Sequence, residues 1–484
     1  YPTRDLYRWA MNEEPLLYEK LAGELAGMIT GGVLGHGDRL PSVRRLAKDR
    51  RLSVSTVVQA LRQLEDGGLV EARPQSGYFV RQPMPMRAVP LVRPTPDAPV
   101  PVDVTQRLVR VLQDCMKPGV VPLAAALPAP SLLPVAALQR LYAGVARRHP
   151  HLLDGGGHFN MNEPALVRQL VRRSLAWGGP LAADEFIITN SCTEALGLCL
   201  RAVTKPGDTV AVESPAYYLM LQLIETLGLK ALEIPTDPRD GMSVEALELA
   251  TRNGQVAACL LVPNASNPLG SLMPDEKKRQ LANLTAARGV AVIEDDIYGD
   301  LHFGSQRPWP IKAYDKSGNV MLCSSFSKCL SPALRLGFVA AGRYRAAIAL
   351  QKTINSGGTN PITQNVVAEF LESGAYERHL RGLRRIYERQ VDSMRAAVSR
   401  YFPAATRISQ PQGAFVLWLE LPEEIDTSAV YERAIADNLA YVPGELFSAS
   451  GMYRNCLRLN CGNPHTPEIE DAVRRLGALM TKPR

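Results

Sequence analysis

Residues 324–337 read Ser324-Ser325-Phe326-Ser327-Lys328-Cys329-Leu330-Ser331-Pro332-Ala333-Leu334-Arg335-Leu336-Gly337. Lys328 stands among small hydroxyl residues and apolar neighbours, where desolvation and a nearby cation can lower the pKa of its amine. A neutral lysine amine is the form that attacks carbonyl compounds in Schiff-base chemistry. Arg335 is the predicted source of the nearby positive charge. A lone lysine more often lies on the surface, so this hypothesis depends on other motifs in the chain.

A group of carboxylates follows one of several strand-like runs. The apolar runs Val210-Ala211-Val212, Cys259-Leu260-Leu261-Val262 and Val290-Ala291-Val292-Ile293 alternate with helix-length segments. This pattern is typical of a mostly parallel sheet that is covered by helices. Glu294-Asp295-Asp296-Ile297-Tyr298 follows the third run, so its acidic side chains are predicted at a carboxyl strand end, where α/β folds bind ligands. The alternative is a solvated acidic turn.

Three more stretches carry polar side chains at similar positions. Asn190-Ser191-Cys192-Thr193 follows Ile187-Ile188-Thr189 as a strand-to-helix turn, whose free backbone N–H groups can bind a phosphate. Glu213-Ser214-Pro215-Ala216-Tyr217 and Asn264-Ala265-Ser266-Asn267-Pro268-Leu269-Gly270 alone indicate a core tyrosine and a turn. In Leu457-Arg458-Leu459-Asn460 one arginine lies between apolar residues, which suits bidentate binding of a carboxylate or an ordinary edge strand.

The N-terminal region has the pattern of a small helical module. Leu17, Leu21, Leu25, Met28 and Ile29 recur at helical spacing before Gly31-Gly32. Serines at Pro41-Ser42 and Ser53-Val54-Ser55-Thr56 predict the starts of two further helices, and the turn-rich segment 73–77 predicts a hairpin. Six basic residues lie within 39–51: Arg39, Arg44, Arg45, Lys48, Arg50 and Arg51. Such a cluster indicates phosphate contacts, although an isolated charge run is more often a solvated face.

These N-terminal motifs resemble those of the GntR family of winged-helix regulators. The matching stretches are Gly37-Asp38-Arg39-Leu40-Pro41-Ser42-Val43-Arg44-Arg45-Leu46-Ala47, Ser53-Val54-Ser55-Thr56-Val57 and Ser76-Gly77-Tyr78-Phe79-Val80. The resemblance implies a DNA-binding domain over residues 15–82 that binds double-stranded operator DNA. Its implied DNA contacts are Arg39, Ser42, Arg44, Ser55, Thr56, Gln59 and Gly77.

The motifs of the larger region resemble those of fold type I aminotransferases over residues 120–484. The resemblance implies pyridoxal 5′-phosphate as cofactor and Lys328 as the catalytic lysine. Asp295 would pair with the pyridinium nitrogen, Tyr298 and Asn267 would bind the phenolic oxygen, and Tyr217 would stack on the ring. The implied phosphate ligands are Ser191, Cys192, Thr193, Ser325, Ser327 and Arg335. Arg458 would bind the carboxylate of a substrate or effector.

Together, the two resemblances imply the MocR subfamily and the following fold: an α/β protein with an N-terminal winged helix-turn-helix, a large aminotransferase-like domain with a mostly parallel sheet between helices, and a small C-terminal α+β subdomain. A head-to-tail, domain-swapped homodimer is also implied. Seven prolines within residues 83–101 predict an extended proline-rich linker, placed at 83–119.

Two departures from the aminotransferase pattern bear on activity. The phosphate turn has Asn190-Ser191 where the family usually has Ser-Gly, so glycine's conformational freedom is lost there. Segment 155–162 replaces a stretch that usually offers a tyrosine and a glycine to the partner subunit's cofactor. The linker and the DNA motifs favour a regulator that senses an amino-acid or amine effector. The alternatives are an active aminotransferase with an appended DNA-binding domain and a DNA-binding scaffold without cofactor.

Composition excludes several other classes of protein. The chain has 484 residues, 46% hydrophobic and 21% charged, and a formal charge of +7, which are values of a globular protein of at least two domains. No apolar stretch is long enough for a membrane helix, and the first residues lack a signal-peptide pattern, so a cytoplasmic protein is expected. Eight cysteines without a Cys-x-x-Cys pair predict free thiols and no metal site.

Overall fold

A computed structural model describes residues 16–30, 33–34, 38–66, 69–73, 77–80, 87–153 and 162–481. The chain divides into two compact units, residues 1–86 and 87–484. Several predicted features lie outside the described residues: the Gly31-Gly32 stop, Gly37, the hairpin turn 74–76, the linker residues 83–86 and nearly all of segment 155–162.

The first unit contains three helices and a two-stranded antiparallel sheet in its described part. They are α1 (Leu17–Thr30), α2 (Val43–Arg50), α3 (Val54–Asp66), β1 (Val70–Arg73) and β2 (Gly77–Val80). The predicted serine caps are present, because Ser42 Oγ accepts the N–H of Arg45 and Ser53 Oγ accepts the N–H of Thr56 at 3.0 Å. Each cap satisfies a backbone donor that the helix itself leaves unpaired.

The core of this unit lies between α1 and α3. Leu21 and Leu25 pack in one cluster with Val57 and Leu61, and all four are buried. Residues 38–40 run along β2, where Leu40 N–H donates to the Tyr78 carbonyl at 2.8 Å. The predicted hairpin is therefore supported by a third extended segment.

The second unit alternates helices and strands. In chain order its elements are β3 (Val100–Pro101), α4 (Thr105–Cys115), α5 (Val135–Arg148), α6 (Pro164–Ser174), β4 (Phe186–Thr189), α7 (Cys192–Val203), β5 (Thr209–Ser214), α8 (Tyr218–Thr226), β6 (Lys230–Asp237), β7 (Gly241–Met242), α9 (Val244–Ala250), β8 (Val256–Leu261), α10 (Asp275–Arg288), β9 (Ala291–Asp295), β10 (Val320–Ser325), β11 (Gly337–Ala340), α11 (Arg345–Asn355), α12 (Pro361–Glu372), α13 (Ala375–Tyr401), β12 (Arg407–Ile408), β13 (Val416–Glu420), α14 (Thr427–Ala436), β14 (Val442–Pro443), β15 (Cys456–Asn460) and α15 (Pro467–Thr481). The strand-like runs of the sequence fall in β5, β8 and β9, except that Val262 and Val290 each lie one residue outside a strand.

The large sheet has the strand order β3-β6-β5-β8-β9-β10-β11-β4 among the described residues, with β7 beside β6. Strands β6, β5, β8, β9 and β10 are parallel. Alternate residues of these strands enter two separate clusters, Leu260 and Ile293 on one face and Leu261 and Val292 on the other. Because both faces are covered, polar groups concentrate at the strand ends.

A smaller antiparallel sheet has the order β12-β13-β15-β14. Arg458 lies in β15, one of the two inner strands, opposite Trp418 on one side and Val442 on the other. The β15 residues are all buried, so the fold fixes the arginine in an apolar environment.

The predicted linker differs from the structure over residues 87–119. Val100 and Pro101 pair antiparallel with β6, and residues 105–115 form α4. Arg93 pairs with Glu420 at 2.8 Å, which ties the proline-rich stretch to the second unit. Proline favours an extended backbone, but it does not prevent that backbone from packing along a folded surface.

Within the part of the chain that the structure describes, no helix combines the length and the low charge that crossing a bilayer would require.

A buried ion-pair network holds the segment that follows β9. Asp300 accepts from Arg173 at 2.7 Å, from Arg307 at 2.8 Å and from the Tyr376 hydroxyl at 2.9 Å. Arg307 also pairs with Asp296, the residue after the end of β9. The two guanidinium groups hold the pKa of Asp300 well below its usual range despite its burial.

We predict that Asp300→Asn destabilises the second unit by about 3 kcal/mol, since it leaves two buried arginines without their shared counter-charge. Urea unfolding followed by tryptophan fluorescence measures the loss. The control is Asp471→Asn, whose exposed pairs with Arg474 and Arg475 are expected to contribute nothing measurable. Equal midpoints for Asp300→Asn and the wild type would contradict this account.

Candidate functional site

A cavity of about 240 Å³ in the second unit is lined by all eleven side chains that the aminotransferase resemblance assigns to the cofactor. They come from the ends of separate elements: Ser191, Cys192, Thr193, Tyr217, Asn267, Asp295, Tyr298, Ser325, Ser327, Lys328 and Arg335. The carboxyl ends of parallel strands meet at one sheet edge, and this explains why residues distant in sequence converge here.

Lys328 lies in the loop after β10, and its Nζ donates to the Ala126 carbonyl at 2.6 Å. Burial and then the charge of Arg458 lower the pKa of Lys328 to about 8, while Asp295 opposes the shift. The lowered pKa of Lys328 agrees with the prediction from the sequence. The sequence analysis, however, attributes the nearby positive charge to Arg335, and this attribution is wrong. Arg335 has an exposed side chain, whereas Arg458 is the buried cation that acts on the amine.

Asp295 ends β9 inside the cavity. Its Oδ1 accepts from the Cys192 thiol at 3.2 Å and from the Ile297 N–H at 3.0 Å, whereas Oδ2 accepts no hydrogen bond from the described residues. Burial raises the pKa of Asp295 to about 6. The neighbouring Glu213, which sequence reasoning missed, has a pKa raised by burial to about 8. At neutral pH Asp295 is therefore the ionised acid of the pair.

The turn before α7 does not need a glycine at position 191, although the aminotransferase pattern usually has one there. Ser191 has φ −177°, an extended conformation open to any residue, and its Oγ accepts the N–H of Glu194 at 3.0 Å. The close approach is made by Gly337 instead, where an added Cβ would lie 2.7 Å from the Ser191 carbonyl carbon and 2.9 Å from Cys192 N. The helix N-terminus thus faces the cavity without glycine in the turn.

Glu194 and Lys352 stabilise this turn through hydrogen bonds to Asn190 and to each other. The sequence analysis assigns neither residue a role. Glu194 accepts the backbone N–H and the Nδ2 of Asn190. The buried Lys352 donates to both Glu194 oxygens, at 3.2 and 3.1 Å, and to Ser356 Oγ at 2.9 Å. The Asn190-x-x-x-Glu194 spacing is visible in the sequence, but the partner Lys352, 158 residues further along the chain, is not.

Arg458 is fully buried and contacts the cavity residue Asn267. Its Nη1 donates to Asn267 Oδ1 at 3.2 Å, its Nη2 donates to the Ala124 carbonyl, and its guanidinium carbon lies 5.4 Å from the Tyr218 ring centroid. Its Nε and the Nδ2 of Asn267 are buried and meet no hydrogen-bond partner in the described part of the chain. Two strong donors therefore remain for a ligand.

The residues assigned to DNA lie at the surface of the first unit, except that Thr56 is half-buried. The Ser55 and Thr56 hydroxyls lie 2.8 and 2.7 Å from Ser53 Oγ at the start of α3. The Arg39 side chain lies against Gly77, since an added Cβ there would be 3.5 Å from its Nε. Ser42 caps α2, and Arg44 and Gln59 are exposed on α2 and α3.

Comparison with known proteins matches each unit separately. The family of bacterial regulatory proteins called gntR matches residues 17–80, and the aminotransferase class I and II family matches residues 142–476. The chain is 40% identical to the uncharacterized HTH-type transcriptional regulator YjiR of Escherichia coli over 95% of this chain and 98% of that one. It is 31% identical to 2-aminoadipate transaminase of Thermus thermophilus over 76% and 92% of the two chains.

A solved structure shows the same fold in the second unit. The kynurenine aminotransferase of Pyrococcus horikoshii, in complex with PMP, aligns with a TM-score of 0.71 at 28% identity and covers 78% of this chain and 94% of that one. The second unit is thus a fold type I aminotransferase domain, a class whose members typically bind pyridoxal phosphate. The chain belongs to the aminotransferase class I and II family and carries an N-terminal gntR-family helix-turn-helix domain, which is the MocR-type architecture.

We predict that pyridoxal phosphate binds to cofactor-free protein at a rate that rises with pH around a midpoint of about 8, because the neutral Lys328 amine becomes populated there. Stopped-flow absorbance measures this rate. Arg458→Met is expected to raise the midpoint, since it removes a positive charge that disfavours protonation. A wild-type midpoint near 10.5, the ordinary lysine value, would contradict the prediction.

Proposed function

We propose that the protein is a pyridoxal-phosphate-dependent, DNA-binding transcription regulator that senses an amino compound through its aminotransferase-like domain. One observation carries this proposal. A lysine with a lowered pKa, a buried carboxylate and a helix N-terminus share one cavity, and the same chain carries a gntR-family domain. DNA-binding units need no such cavity, and aminotransferases need no DNA-binding unit.

The residues of the cavity fit the cofactor. Asn267 offers an unpartnered Nδ2, Asp295 offers its Oδ2, and the turn at Ser191 presents the start of α7. Lys328 would hold the cofactor aldehyde, Tyr217 would cover the ring, Tyr298 would accompany Asn267 at the phenolic oxygen, and the phosphate would be bound by Ser191, Cys192, Thr193, Ser325, Ser327 and Arg335. When bound, pyridoxal phosphate supplies an electron sink for chemistry at an amino-bearing carbon.

Arg458 would receive the carboxylate of the effector. The Ala124 carbonyl accepts from its Nη2, so a carboxylate that binds Arg458 through Nη2 as well as the unpartnered Nε would compete with this carbonyl. Residues 123–127 are also tied to β15, because Asn460 N–H donates to the Leu123 carbonyl at 2.7 Å. Effector binding would therefore favour a different position of residues 123–127. A ligand shifts a conformational equilibrium only if it binds the two states with different affinity, and this competition would supply that difference.

An active aminotransferase with an appended DNA-binding domain is the second candidate. It is favoured by Asp295, whose ionised carboxylate keeps a ring nitrogen protonated and thereby supports turnover as well as sensing. Segment 155–162, where the sequence departs from active aminotransferases, lies outside the described residues except for Asn162.

Residues 15–82 would bind operator DNA through Arg39, Ser42, Arg44, Ser55, Thr56, Gln59 and Gly77. The proposed boundaries are 15–82 for this domain and 120–484 for the cofactor domain, to which residues 87–119 are added because they pack in the second unit. As the MocR resemblance implies, we expect a domain-swapped homodimer, and we expect it in the cytoplasm because its proposed target is operator DNA.

Arg44→Ala is expected to weaken operator binding and to lower the slope of log affinity against log salt by about 0.9, since one phosphate contact and its released counterion are lost. Fluorescence anisotropy at several salt concentrations measures both quantities. Arg252→Ala, the same charge change on an exposed residue of the second unit, serves as the control. Identical slopes for Arg44→Ala and the control would remove Arg44 from the DNA contacts.

The sensor function is tested by operator affinity with and without a saturating amino acid, chosen because it changes the visible spectrum of the holoprotein. Coupling of typical size would change the affinity by roughly five- to 150-fold. Arg458→Ala should lose the response while it still binds operator DNA. An unchanged wild-type affinity would reject the sensor and favour the enzyme.

A further inference from the structure

Residues 87–93, which begin the second unit, are bound to the end of α13 and to the smaller sheet. The Arg87 guanidinium donates to three backbone carbonyls around the end of α13: Ser399 at 2.6 Å, Pro403 at 2.8 Å and Ala404. The Ala88 carbonyl accepts the N–H of Ile408 in β12 at 2.9 Å. This end of the segment is therefore attached to the backbone of neighbouring elements, not only to their side chains.

A buried carboxylate at the end of β13 holds the other end of this segment. The Oε2 of Glu420 accepts the N–H of Leu91 at 2.8 Å, and its Oε1 accepts from Arg93 at 2.8 Å. Glu420 is only 7% exposed. Arg93 also donates to Asn455 Oδ1 at 2.8 Å, just before β15. Since removing one partner of a buried ion pair is strongly destabilising, residues 87–93 are expected to follow the smaller sheet when it moves.

Three consecutive contacts connect Arg93 with Arg458, the arginine proposed to bind the effector. The guanidinium carbon of Arg93 lies 5.3 Å from the centroid of the Tyr453 ring. That ring lies edge-on to Trp418, with 5.9 Å between the two ring centroids. Trp418 is directly opposite Arg458 in the β13–β15 pair, and side chains at such positions are neighbours on one face of a sheet. Tyr453, Trp418 and Arg458 are all buried, so a displacement at Arg458 reaches Arg93 through closely packed side chains.

We propose that residues 87–93 transmit the response of the sensor to the DNA-binding domain, and that Arg93 is the positioning residue that ties them to Glu420. The inference rests on the proposed function and adds the element that connects its two parts. Toward the N-terminus, the chain leads from this segment to the gntR-family domain of residues 17–80. When an effector binds Arg458 and the smaller sheet changes position, the attachment point of this chain would change with it. Effector and operator DNA would then bias one shared element, which is the condition for coupled binding.

Operator affinity of the full-length holoprotein tests the inference, measured by fluorescence anisotropy with and without a saturating amino acid. The amino acid is the one of the standard set that changes the visible spectrum of the wild type. In the wild type we expect roughly a five- to 150-fold change of affinity, and in Arg93→Ala a change of less than about two-fold. Arg93→Ala should still bind operator DNA and still show the spectral change. A merely structural role of Arg93 would instead impair one of these two properties.

Two further variants complete the test. Arg93→Met combined with Glu420→Gln removes both charges and leaves the Leu91 N–H an acceptor, so no buried charge stays unpaired if the single variant does not fold. Arg148→Ala, which breaks an exposed pair with Glu369 on α12, is the control and should keep the wild-type response. A full response in folded Arg93→Ala or in the double variant, or its loss in Arg148→Ala, would overturn the inference and leave the sensor intact. No response of the wild type would reject the proposed function itself.

Discussion

The structure of the second unit depends on charges that are buried together at the carboxyl edge of its sheet. Arg458 and Asp295 lie close enough to Lys328 to act on the pKa of its amine in opposite directions, and burial is the largest cause of the pKa shift at both Lys328 and Asp295. Isolated buried charges are strongly disfavoured, so this arrangement requires partners. The partners are backbone carbonyls at Ala124 and Ala126 and a thiol at Cys192. The result is an amine that is partly neutral and a carboxylate that is ionised at neutral pH.

The surrounding fold supplies rigidity to this edge. Two apolar clusters cover the two faces of the parallel strands, so that strand ends are fixed relative to one another. Glu194 and Lys352 hold the turn before α7, and the Asp300 network holds the segment after β9. Arg458 reaches the same place from a different sheet. A ligand that binds Arg458 would therefore contact a residue that is connected both to the smaller sheet and to the segment 123–127.

Much of this could be predicted from the sequence, because its signals are local. The strand-like runs, the serine caps at Ser42 and Ser53, and the polar residues that follow β8, β9 and β10 all depend on neighbouring residues. The remainder depends on contacts distant in sequence. The cation beside Lys328 is Arg458, 130 positions further along the chain, and Gly337, not the turn itself, allows the approach at Ser191. The proline count predicts an extended linker, but it does not show that Arg93 pairs with Glu420 and so holds this stretch against the second unit.

The account requires that Lys328 is the lysine to which pyridoxal phosphate becomes attached. Borohydride reduction of the holoprotein makes that attachment permanent, and peptide mass spectrometry then locates it. We expect one phosphopyridoxyl group per chain, on Lys328. A label on another buried lysine, such as Lys278 or Lys352, or the absence of any label from protein that contains the cofactor, would contradict the account.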